Sequence, residues 1–192
     1  MGSWVLAFGG MAIVYAAIVS FGILLAAWTL GRPIGWRILP LLFFTLVFVF
    51  LTQHPFPVAA GLDCPLSSGA PQLHPFQFLE TFVVLHDQGA APIVWLRNRT
   101  VAATVMNFLV CLVIGLAFAR HSMRLRSALV FGAVLTLSVE LTQLTGIWGL
   151  YPCAYRQFNV DDLMLNTLGV VAGVMLVRLC SKRGRVPKTE WK

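Results

Sequence analysis

Ser138-Val139-Glu140-Leu141-Thr142-Gln143 and Asn159-Val160-Asp161-Asp162-Leu163-Met164-Leu165-Asn166-Thr167-Leu168-Gly169 flank a short loop holding Cys153 and Arg156, and Gly173 follows. Acidic and amide side chains here sit inside apolar runs, whereas the other apolar runs avoid charge. A soluble helix would put these groups on a wet face. Here their neighbours leave no such face, so the helices read as membrane spans carrying polar groups inward.

The rest of the chain fits that reading. Of 192 residues, 58% are hydrophobic and 11% charged, and the mean hydropathy is +0.82. A soluble domain carries about 25% charged residues. Working outward, Ser127–Thr145 and Val160–Cys180 become spans four and five, Thr100–Ala119 span three, Ile38–Thr52 span two and Trp4–Leu30 span one. The expected fold is all-α, a polytopic membrane bundle of about five transmembrane helices. Between His54 and Asn98 the segment Pro75–Asp87 repeats apolar residues at helical spacing. It reads as a short amphipathic helix, lying at the membrane surface or capping the bundle. Three parts follow: 1–37 as first helix and cytoplasmic loop, 38–180 as the membrane domain and 181–192 as a basic tail.

The formal charge of +7 does not point to nucleic acid, because the basic residues fall in short loops and a tail. Arg32, Arg37, Arg120, Arg124, Arg126 and the tail share one side of a five-span chain. The positive-inside rule makes that side cytoplasmic, with the N-terminus outside, the C-terminus inside, and loops 54–98 and 146–159 outside. Cys64 and Cys153 both fall in those outer loops, where disulfides persist, and are expected to pair. Cys111 reads as an apolar filler. No spacing of His and Cys supports a metal site, and no cofactor is indicated.

At ~1.5 Å per residue, Glu140, Asn166 and Asn107 lie roughly 9–10 Å below the outer ends of their helices, so three spans bring polar groups to one level. Gln143 and Asp162 stand above them. Asp162, Asn166, Gly169 and Gly173 share a face of span five. The small pair Gly169/Gly173 invites close helix packing. Arg156 is the natural cationic partner of Glu140. Asn159, Asp161 and Asp162 also suit the start of a helix, whose positive end favours them. The candidate ligand-binding set is Asn107, Glu140, Gln143, Arg156, Asp161, Asp162 and Asn166. Glu140 and Asp162 are the candidates for acid–base work. Ser138 has no histidine near it to build a hydrolytic triad.

These residues resemble the VanZ-like family of bacterial membrane proteins. The carriers are Ser138–Gln143, Arg156-Gln157-Phe158-Asn159-Val160-Asp161-Asp162-Leu163, and Asn166-Thr167-Leu168-Gly169 with Gly173. Met106-Asn107-Phe108 is similar to the polar entry of the family's middle helix. His74-Pro75-Phe76 resembles its Asn-x-x-Pro-Phe segment without the Asn. The Cys64/Cys153 pair, with Tyr151-Pro152-Cys153-Ala154-Tyr155-Arg156, looks like an actinobacterial-type member. The resemblance implies an envelope protein whose founding relative affects sensitivity to the glycopeptide teicoplanin, with no catalytic activity established for the family. The expected partners are membrane lipid and a lipid-linked or lipidated small molecule. A membrane enzyme acting on a lipid or cell-wall precursor is the alternative. A transporter or a subunit of a larger complex is a further one, although the inner halves of the spans lack polar residues.

Overall fold

The computed structural model describes residues 2–53 and 70–183, with side chains for 9–53 and 70–181. The described residues form helices α1 (Gly2–Thr29), α2 (Leu39–Gln53), α3 (Phe78–Asp87), α4 (Pro92–Arg97), α5 (Arg99–Phe118), α6 (Leu125–Leu144), α7 (Gly146–Gly149) and α8 (Val160–Arg183). Five of them, α1, α2, α5, α6 and α8, are long and apolar enough to cross a membrane. The protein is a multi-pass, all-helical membrane bundle. Successive spans alternate in direction. Gln53, Arg99, Leu144 and Val160 therefore mark one end, called the cap end below because α3 and α4 adjoin it.

Helix boundaries follow local chemistry. The Asn98 side chain accepts from the backbone N–H of Thr100 (2.9 Å) and Val101 (3.2 Å), which satisfies donors that the first turn of α5 leaves orphaned. Asn159 does the same for α8 through Asp161 N–H at 2.9 Å. α1 ends where Gly31 takes a φ of 68°, the left-handed conformation that glycine adopts without a Cβ clash.

α8 lies at the centre, against α5 on one side and α6 on the other, while α2 touches α5 and α6 and α1 packs on α2. The core joins Phe48 of α2, Cys111 and Ile114 of α5, Ala128 of α6 and Val170 and Val174 of α8. Glycines set the α5–α8 distance. A Cβ on Gly173 would stand 2.2 Å from the Leu112 carbonyl oxygen, one on Gly169 2.6 Å from that of Phe108, and one on Gly115 2.1 Å from that of Val170. In a lipid environment, where apolar surface alone gives no drive to associate, such backbone proximity supplies the packing attraction.

Among its described residues, from 70 on, the 54–98 connection holds two helices rather than one. α3 starts at Phe78, after a turn in which Phe76 takes a positive φ of 68°, and Pro92 opens α4. Phe82 joins them by an edge-on contact with Trp95, at 5.5 Å between ring centroids. Both helices pack on α5, so this segment caps the bundle. Cys64 lies outside the described residues. Cys111 and Cys180 are free thiols.

Candidate functional site

The cap end gathers polar side chains from four spans. Glu140 is 3% exposed, and its Oε2 accepts the Asn159 N–H at 2.9 Å, which ties α6 to the first turn of α8. Asn107 of α5 donates from Nδ2 to Asp162 Oδ1 of α8 at 3.0 Å. Asn166, 1% exposed, stands one turn below Asp162, and its Oδ1 has no partner. A buried polar group without a partner costs ~1–3 kcal/mol, so this one asks for a reason.

Other residues of the predicted set hold the scaffold. Gln143 Nε2 donates to the Thr52 carbonyl at 2.8 Å, and Arg156 Nη1 donates to the same oxygen. Arg156 does not form the expected ion pair with Glu140. Among the described residues the one ion pair is His86–Asp87. The last carbonyls of α2 are orphan acceptors at the negative end of a helix, and a guanidinium satisfies both needs. Asp161 is buried and receives Phe76 N–H at 2.5 Å and Phe78 N–H at 3.1 Å. It clamps the start of α3 to the start of α8.

A cavity of about 540 Å³ opens among these groups. Asn107, Glu140, Gln143, Arg156, Asp162 and Asn166 all line it, and of the predicted ligand set Asp161 alone does not. Leu51, Ala102 and Met106 give it an apolar wall, and Arg99 joins Arg156 in supplying positive charge. Arg156 and Asp162 lie within electrostatic reach of Glu140. Two carboxylates, five amides and two guanidinium groups thus face one volume, able to bind both donors and acceptors. Ser138 is exposed and donates to the Val134 carbonyl of its own helix at 2.7 Å, so it is no nucleophile for this cavity. Among the described residues, no three His, Cys, Asp or Glu side chains are grouped to hold a metal ion.

Several contributors escape a reading of sequence. Gln53 of α2 donates to the Val139 carbonyl at 3.3 Å and accepts the Tyr155 hydroxyl. Burial pushes the Tyr155 phenol up to about 12, with Arg156 pulling it down and Tyr151 adding to the rise. Gln72 pairs in parallel with Asn159: its N–H donates to the Phe158 carbonyl (2.8 Å) and its carbonyl accepts the Val160 N–H (3.0 Å). Gln72 stands three residues before Pro75, and that spacing was its signal. Gly146 makes the 145–159 loop tight, because a Cβ there would stand 2.6 Å from the Cys153 carbonyl oxygen.

No curated protein and no solved structure matches the chain. The arrangement on α5, α6 and α8 falls within residues 36–181, which match the family model described as VanZ/LLP1; the chain belongs to that family.

Proposed function

We propose that the protein binds, without transforming it, the polar end of a lipid-linked or amphipathic molecule on the outer face of the cell envelope. The observation that carries this is the cavity itself, which joins an apolar wall at Leu51, Ala102 and Met106 to a floor of Glu140, Asp162 and the unpartnered Asn166. Ligand sites are mostly apolar with a few convergent polar groups, and ionisable groups within spans are candidates for function. The cap end faces outward in this reading. The basic residues around Arg32, Arg37 and Arg120–Arg126 sit at the opposite end, which by the positive-inside rule supports an N-terminus outside and a C-terminus in the cytoplasm. A Cys64–Cys153 disulfide would tie the cap segment to the loop between α6 and α8. Through such binding the protein would lower sensitivity to lipidated glycopeptides such as teicoplanin.

The test compares wild type with Glu140→Ala and Asp162→Ala at matched expression in a susceptible host. Native mass spectrometry would follow co-purified ligand, and growth inhibition would follow teicoplanin sensitivity. Loss of ligand and of protection in both variants is expected; retention of both in both variants would overturn the reading. A second reading, a membrane enzyme with Glu140 and Asp162 as acid–base pair, is favoured by both carboxylates lining one cavity. Turnover of a lipid-linked precursor by purified protein would select it.

A further inference from the structure

A second cavity, of about 480 Å³, lies beneath α3. It shares Arg99 and Ala103 of α5, and Asn159 and Asp162 at the start of α8, with the first. The two volumes therefore adjoin along one wall. Their chemistry differs. The first has the apolar surface of Leu51, Ala102 and Met106. The second is lined by Glu80 and Thr81 of α3 and by Thr100 and Thr104 of α5, with Asp161 and Asp162. Its roof is fixed, because Asp161 holds the backbone at Phe76 and Phe78.

From this pairing we infer that the ligand is a lipid phosphate bearing a polyhydroxyl ring, the ring lodged under α3 and the chain leaving across the first cavity. The inference rests on the binding function proposed above and names its substrate class. Arg99 is exposed, makes no ion pair among the described residues, and faces both cavities. A guanidinium offers paired donors that match phosphate geometry. Ring hydroxyls both donate and accept, and the second cavity answers with carboxylates that accept and threonines that do both. The apolar wall at Leu51 and Met106 takes the first methylenes of the chain. Each cavity lies in the size range of small-molecule sites, about 300–1,000 Å³.

The experiment measures binding of four defined lipids to the purified full chain by native mass spectrometry. Phosphatidylinositol is set against phosphatidic acid, and a polyprenyl phosphoryl-hexose against the bare polyprenyl phosphate. At least one ring-bearing lipid is expected to bind ~10-fold more tightly than its bare counterpart, the worth of one or two hydrogen bonds. Whichever pair shows the preference identifies the chain type. Glu80→Gln combined with Thr104→Val should erase the preference and leave the bare lipid unchanged, while Arg99→Ala should weaken both members of the pair. Equal binding within both pairs, or a preference that survives the Glu80/Thr104 change, overturns the inference. If bare lipid phosphates bind in a Glu140-dependent way and the ring adds nothing, the ring assignment falls and the broader binding function stands. If no lipid binds, and none co-purifies with wild type, both fall.

Discussion

α5 and α8 run side by side, yet their two halves are built on opposite principles. From Phe108 toward the tail end, Gly115, Gly169 and Gly173 bring one backbone against the other with no room for a Cβ. Nearer the cap end, beginning at the residue before Phe108, Asn107 faces Asp162, and the cavity opens beside them. The dry half sets the geometry and the polar half uses it. In lipid, close backbone packing is a strong source of cohesion, so the glycine half can fix the helices while the other half carries groups that packing alone would reject.

The largest expected effect comes from breaking the dry half. Gly173→Leu must move Leu112 or the helix itself, at a cost of ~3 kcal/mol or more. Size-exclusion chromatography after heating should show a large loss of monodisperse protein. Gly22→Leu, where nothing lies within 4 Å of the new Cβ, should melt like wild type. An unchanged melting curve for Gly173→Leu would refute the role given to the close contact.

In the polar half, Asp161→Ala removes two hydrogen bonds to the start of α3. We expect a local loss of about 2 kcal/mol, seen as ~30-fold faster amide exchange around 76–80, with α5 and α8 unaffected. Exchange unchanged in that segment would show that the cap is held by α5 alone. Asn166→Leu should act with the opposite sign. Replacing an unpartnered buried amide by an isosteric apolar side chain should stabilise the bundle by ~1 kcal/mol while abolishing ligand binding. A variant that melts lower and keeps its ligand would mark Asn166 as structural.

The smallest effect is a pH dependence. Burial, the main cause, holds the Tyr155 phenol near 12, above the ordinary value of about 10. Its O–H donates to Gln53 only while protonated. Since the folded value is the higher one, this contribution is fully present below about pH 10 and fades as pH rises through about 12. Melting temperatures across that window should fall less steeply for Tyr155→Phe than for wild type.

The spans were legible because length and hydropathy carry them, and a rise of ~1.5 Å per residue then placed Asn107, Glu140 and Asn166 at one level. Depth arithmetic finds side chains that share a layer. It does not find acceptors on the backbone. Arg156 goes to the Thr52 carbonyl rather than to Glu140, and Asp161 to the N–H groups of Phe76 and Phe78, because every residue owns such groups and no letter of sequence marks which are orphaned. Asn159 and Asp161 were readable as helix-start residues, but the second helix that Asp161 holds was not.

Residue types alone settled that the chain is a membrane protein, that five helices among the described residues are long and apolar enough to cross a membrane, and that the polar groups cluster near one end of the last three spans. These follow from hydrophobicity and helical rise, which are local. Tertiary structure alone decided which of those polar groups hold the scaffold and which line a cavity, that α2 contributes Thr52 and Gln53, and that two volumes meet at Arg99 and Asp162. Such choices depend on which orphaned backbone groups come within ~3 Å of a side chain, a distance that exists only once the helices have packed.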